Sequence, residues 1–261
     1  MINGKAIYQP KGAAAEYAKF ACNFYIGCSN CCTYCFNKRW KWGNVPTLKK
    51  CFKDENNALE VFEKELKLNL PELQKHGLFF SFTTDPCLPK TVLLTSMAIK
   101  QCITYNVPVK ILTKKTDWTV DCFYSIDMQY YKNIAFGFTL TGHDELEPNA
   151  STNSERIEAM QKLHEAGFKT WASIEPVIDF TSSWQMIRDT CSFCDLYKIG
   201  LMSGKKYVYK YEDELRDFMD ACIHTGNPTI YFKDSLLMQA GICREDLPAN
   251  CVDRDYDMFN P

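Results

Sequence analysis

Short apolar runs alternate along the chain with longer stretches in which apolar residues recur every three or four positions. The runs predict strands near residues 19–26, 78–84, 107–113, 134–140, 169–175, 195–201 and 228–232. Between them the helical spacing predicts helices near 55–74, 89–105, 117–128, 153–166, 182–193 and 210–225. The helix over 153–166 has the clearest ends. Thr152 and Glu155 form a capping-box pair, Ile157, Met160 and Leu163 recur at helical spacing, and Gly167 stands where a left-handed terminating residue is favoured. Alternating strands and helices imply βαβ units, hence a parallel sheet with right-handed crossovers. Six or seven such units predict an α/β fold of the partial (β/α)6 barrel type. It forms one domain over 1–261, with the barrel at about 20–232 and a C-terminal extension over 233–261. Sites in such folds gather at the C-terminal ends of the strands.

With 46% hydrophobic and 24% charged residues, the composition is that of an ordinary globular protein. A net charge of −2 supplies no global basic field for nucleic acid, although a local basic site is not excluded. No apolar run approaches a bilayer crossing, and residues 1–20 lack the apolar core of a signal peptide. The expectation is a cytoplasmic protein without a membrane partner. Thiols stay reduced in that compartment, so 14 cysteines point to metal ligation before disulfides. Cys51, Cys87, Cys102 and Cys122 lie in mostly apolar segments and are expected in the core.

Cys28, Cys31, Cys32 and Cys35 crowd into "CSNCCTYC". A zinc knuckle would use Cys28-x2-Cys31 and Cys32-x2-Cys35, but such halves need a spacer to approach from opposite sides. Packing alone does not explain so dense a set. A third reading is an iron–sulfur cluster on Cys28, Cys32 and Cys35, spaced C-x3-C-x2-C, whose three thiolates would leave one iron open.

That spacing, with aromatic Tyr34 before the last cysteine, resembles the signature of radical S-adenosylmethionine (SAM) enzymes. "FTTDPCLP" (82–89), "ILTKK" (111–115) and the segment 136–178 resemble, in order and spacing, the branch that contains spore photoproduct lyase and proteins labelled DNA repair photolyases. The resemblance covers about residues 20–205. It implies a 4Fe–4S cluster on Cys28, Cys32 and Cys35 and SAM chelating the open iron. Reductive cleavage of SAM would then give a 5′-deoxyadenosyl radical. An electron donor of the flavodoxin or ferredoxin kind would be a partner.

For SAM, the resemblance places Tyr34 near the adenine and Thr83, Thr84 and Asp85 at the ammonium group. Lys114 at the end of the third strand is placed to pair with the SAM carboxylate. Thr139 and Thr141 are expected toward ribose or carboxylate, and Glu175 toward ribose hydroxyls or substrate. Met202 and Ser203 are expected near adenine. Arg156 sits in a helix's first turn, where a cation meets the wrong end of the dipole, so it calls for a partner such as Glu147 or SAM.

Lys38, Arg39 and Lys41 interleave with Trp40 and Trp42, a pattern suited to nucleic acid or nucleotide. This segment also supports a competing class, a zinc- or cluster-stabilised nucleic-acid-binding module without turnover. Cys191, Cys194, Cys222, Cys243 and Cys251 have no diagnostic spacing for a second metal site and are expected to be structural.

Overall fold

The computed structural model of the chain describes residues 2–39, 46–117, 126–202 and 212–260. The main sheet has eight strands among the described residues: β1 (Ile7–Tyr8), β2 (Ala21–Cys22), β5 (Leu78–Phe80), β6 (Val109–Thr113), β7 (Ile134–Thr139), β8 (Lys169–Val177), β9 (Leu196–Leu201) and β10 (Ile230–Phe232), in that spatial order. β1 pairs antiparallel to β2, and every later pairing is parallel. Neighbours in sequence are neighbours in space, as in a barrel, yet the sheet stays open with β1 and β10 as its edges. The expected partial barrel is therefore the fold.

Two expected elements divide. The run 19–26 breaks after Cys22, and its second half, β3 (Tyr25–Ile26), pairs antiparallel with β4 (Lys49–Lys50) in a separate ribbon. The helix expected over 55–74 becomes α1 (Glu55–Leu68) and α2 (Leu70–His76). Pro71 causes the break, because it has no N–H to donate and its ring obstructs the preceding turn. Helices α3 (Val92–Thr104), α4 (Asn153–Glu165), α5 (Phe180–Thr190) and α6 (Glu212–His224) match expected ones. Of the helix expected near 117–128, residues 118–125 lie outside the described residues, and Met128–Asn133 is a 3-10 turn. β1 and α7 (Asp234–Ala240) were not legible as periodic runs, being two and seven residues long.

Alternation sorts each strand into two faces. Ile134, Phe136 and Phe138, with Ala172, Ile174, Tyr197, Ile199, Ile230 and Phe232, join the large core beneath the helices. The opposite positions turn inward, where Ala21, Phe79, Ala135, Trp171 and Leu196 form a second cluster. Gly137 lies on this inner face because a Cβ there would stand 2.1 Å from the Trp171 ring. Met258 completes the inner cluster from the C-terminal segment, which runs beside β10 through a parallel bridge between Ile230 and Cys251. Toward the strands' C-terminal ends the inner face becomes polar: Ser173 and Glu175 on β8, Lys198 on β9, Lys233 after β10.

Candidate active site

The loop after β2 carries the cysteines and lies at the C-terminal end of the parallel sheet. A cavity of about 520 Å³ opens there, and Cys28, Cys32 and Cys35 line it. Cys31 is absent from that lining. It takes a left-handed backbone conformation, φ 57°. Among the described residues no three His, Cys, Asp or Glu side chains group closely enough to hold a single metal ion. Burial, and then the Asp85 carboxylate, push the Cys28 thiol up to about 12. Burial also raises Cys32 despite the opposing charge of Lys114.

The cysteine loop is held by the connection between β7 and α4. Thr33 N–H donates to Leu146 O (2.8 Å), Asn149 N–H to Asn30 O (3.3 Å), and Asn149 Nδ2 to Ser29 O (2.9 Å). The Tyr34 hydroxyl donates to Glu147. Glu147 is buried and pairs with Arg156, whose own side chain is fully buried and also donates to Thr139 O at 2.5 Å. This answers the expectation that Arg156 needs a partner. Burial, then the Glu147 charge, hold the Tyr34 phenol well above its usual value, so it stays protonated.

Asp85 ties the loop from the other side. Its carboxylate accepts from Asn30 Nδ2 (2.8 Å), Cys87 N–H (2.9 Å), Thr113 Oγ1 (2.6 Å) and Lys114 N–H (2.8 Å). Four donors fill the carboxylate. Thr84, Lys114 and Thr139 line the cavity with Tyr34 and Asp85. Lys114 Nζ lies 5.6 Å from the Tyr34 ring centre and 3.9 Å from Glu147. Thr83 and Thr141 do not line it. The Thr83 hydroxyl donates to Tyr25 O at 2.5 Å, and Thr141 Oγ1 accepts from His143 N–H. Met202 lines the cavity, while Ser203 lies outside the described residues.

Glu175 stands on the cavity wall at the end of β8. Lys233 Nζ donates to both its oxygens at 2.9 Å, and the Tyr17 hydroxyl donates to Oε2 at 2.5 Å. Tyr17 and Lys233 were missed in the sequence reading. Lys233 had a signal: it is the cation that ends the apolar run "TIYF", on the inner phase of its strand. Tyr17 had none, because it precedes the first recognised strand.

Trp40, Lys41 and Trp42 lie outside the described residues, as does the Arg39 side chain. Lys38 is exposed, with Nζ donating to Thr33 O. Cys191 and Cys194 bond to the carbonyls of Arg188 and Leu196. Cys122 is outside the described residues, whereas Cys87 and Cys102 are buried in the core and Cys51 packs at its margin.

No family model matches the chain. An uncharacterized protein of Methanocaldococcus jannaschii is 29% identical over 211 residues, 72% of this chain and 72% of that protein. Among solved structures, a spore photoproduct lyase mutant has a TM-score of 0.67 at 14% identity, covering 89% of this chain and 79% of that one. Another, with dinucleoside spore photoproduct, has a TM-score of 0.64 at 15% identity, covering 89% and 80%. Streptococcus suis SuiB bound to precursor peptide SuiA has a TM-score of 0.51 at 11% identity, covering 72% and 46%. The fold is the open, mostly parallel partial barrel also found in spore photoproduct lyase. No described helix is long and apolar enough to cross a membrane.

Proposed function

We propose that this chain is a radical SAM enzyme in which Cys28, Cys32 and Cys35 hold a 4Fe–4S cluster beside a cavity for SAM and substrate. One observation carries the reading. Of four clustered thiols, the three at C-x3-C-x2-C spacing line one cavity at the strand ends, and Cys31 does not. The residues around them fit the group. The donors are thiols, and the Asn30 and Asn37 side-chain oxygens, whose residues line the same cavity, are buried without a partner. When bound, the cluster held by Cys28, Cys32 and Cys35 would supply one electron for reductive cleavage of SAM into methionine and a 5′-deoxyadenosyl group able to abstract hydrogen.

The chain's own part is binding, orientation and exclusion of water. Lys114 offers a cation for the SAM carboxylate. Tyr34 gives a ring whose position the Glu147 bond fixes, and Thr84 and Thr139 offer hydroxyls on the same side. Asp85 holds the cysteine loop to β6 through Asn30, Thr113 and Lys114. The electron comes from a flavodoxin- or ferredoxin-like donor.

The test is anaerobic reconstitution with iron and sulfide, followed by SAM cleavage under reduction. Alanine at Cys28, Cys32 or Cys35 removes iron and cleavage together. Cys31→Gly, which suits the left-handed backbone, keeps both. Loss of iron in the Cys31 variant with retention in a Cys32 variant would reassign the ligands. Zinc in place of iron would leave the non-catalytic binding module as the better reading.

A further inference from the structure

This inference rests on the radical SAM reading and concerns the part of the cavity wall that carries Glu175. Tyr17, Ser173, Glu175 and Lys233 come from three parts of the chain, with Ser173 and Glu175 both on β8, and meet on the cavity. Their hydrogens can be accounted for one by one. A carboxylate beside Lys233 only accepts, so the Tyr17 O–H points at Glu175. The Tyr17 oxygen and Ser173 Oγ are 2.7 Å apart, so Ser173 donates to Tyr17. Burial, then the Glu175 charge, raise the Tyr17 phenol well above its usual value, which keeps that proton in place. Lys233 shares its three hydrogens among both Glu175 oxygens, Ala13 O (3.3 Å) and Glu16 Oε2 (3.4 Å).

Every donor in the constellation is therefore turned inward, and what remains toward the cavity is acceptor capacity. The Asp85 carboxylate takes four donors, whereas Glu175 takes three contacts, leaving a lone-pair position on Oε1. Exposure agrees: the Glu175 side chain is 16% accessible and that of Lys233 is 2%. The pair is built in, because a Cβ on Gly200 would stand 2.6 Å from Lys233 Cδ and 3.1 Å from Glu175 Cδ. An anion entering here would meet the carboxylate at contact range, with the lysine's charge already engaged.

We infer that Glu175, held by Lys233 and Tyr17, is the substrate-recognising acceptor of the cavity, and that it receives an N–H or O–H donor on an uncharged substrate group, not a phosphate or carboxylate. Glu175 is thereby assigned to substrate rather than to SAM, whose ribose hydroxyls offer the same chemistry.

The experiment uses reconstituted protein saturated with SAM and three planar probes: α-pyridone, its N-methyl derivative and its carboxylate derivative. Calorimetric titration is expected to show saturable α-pyridone binding. The two derivatives, one without the donor and one with added negative charge, should bind about ten-fold more weakly or worse. Glu175→Gln should erase the difference without changing side-chain shape. SAM affinity should stay within about two-fold of the parent protein in Glu175→Gln. Absence of α-pyridone binding overturns the inference. So does tighter binding of the carboxylate derivative, or a preference that survives Glu175→Gln. A ten-fold loss of SAM affinity in that variant would hand Glu175 to the cofactor. Failure of the radical SAM reading shows earlier, as parent protein that takes up no iron or no SAM.

Discussion

Arg156 is fully buried in the first turn of α4, against the helix dipole, and Glu147 supplies its counter-charge. Removing one member of such a pair leaves the other charge uncompensated, at a cost of about 3–5 kcal/mol. Arg156→Leu is expected to lose stability of that order in urea unfolding. An unchanged midpoint would mean that Glu147 finds water instead. His143 makes a different pair of contacts nearby. Its Nε2 is 2.5 Å from Asp179 and its Nδ1 2.7 Å from Glu145, and these bonds, Asp179 first, raise its pKa above 6.5. A raised histidine contributes stability below its unfolded pKa and loses it as pH climbs through the folded value. The His143 bond lowers Glu145, and Asp179 is lowered by bonds from Ser182 and His143 that outweigh its burial. Those two contribute above the usual carboxylate range and lose their part on acidification. The wild type should therefore lose thermal stability as pH rises from about 6.5. In His143→Gln that slope should flatten, measured as unfolding temperature against pH.

At the scale of elements, α4 begins as its sequence says. Thr152 Oγ1 accepts from Glu155 N–H, and the Glu155 side chain accepts from Thr152 N–H. Thr152→Ala should cost about 1 kcal/mol. The helix carries Arg156, so a measured loss well beyond that would mean that the cap also sets the ion pair. β9 makes the opposite point, because its functional position is a missing side chain. Gly200→Ala forces Lys233 and Glu175 apart, and overpacking of this kind costs about 1–3 kcal/mol. Weaker binding of a donor-bearing probe, with iron content unchanged, is the expected signature. Thr152 and Glu155 were legible because a cap is a contact between residues three apart. Gly200 was not, because its neighbours lie 25 and 33 positions away along the chain.

The whole molecule is an open barrel whose two ends are joined by side chains rather than by a ladder. Glu16, just before β2, accepts from Tyr231 at the far edge (3.1 Å) and from Asp234 N–H (2.8 Å), and it approaches Lys233. Lys198 donates to Glu16 O at 2.5 Å from inside. Burial, then the charges of Lys110 and Lys233, hold the Lys198 pKa well below the usual lysine value. At the opposite end of the interior, Met258 is 1% exposed within the inner cluster. Met258→Ala should destabilise the protein by about 2–5 kcal/mol. A loss under 1 kcal/mol in chemical denaturation would show that the C-terminal segment merely rests on the barrel.

The residues alone determined the alternation of strands and helices, the parallel partial barrel, the cap of α4 and the three-thiol reading of "CSNCCTYC". Each of these rests on contacts or spacings short enough to repeat along the chain. The need of Arg156 for a partner was legible for the same reason, since position within a helix turn is a local property. Tertiary structure alone decided that Asp85 is filled by four donors, that Cys31 stays out of the cavity lining, and that Glu175 is met by Lys233 and Tyr17. Lys233 and Tyr17 lie 58 and 158 residues from Glu175. Only sheet order and curvature bring such distant positions within hydrogen-bond reach. Whether a carboxylate has a lone pair to spare depends on every donor around it, and no local pattern in the chain records that.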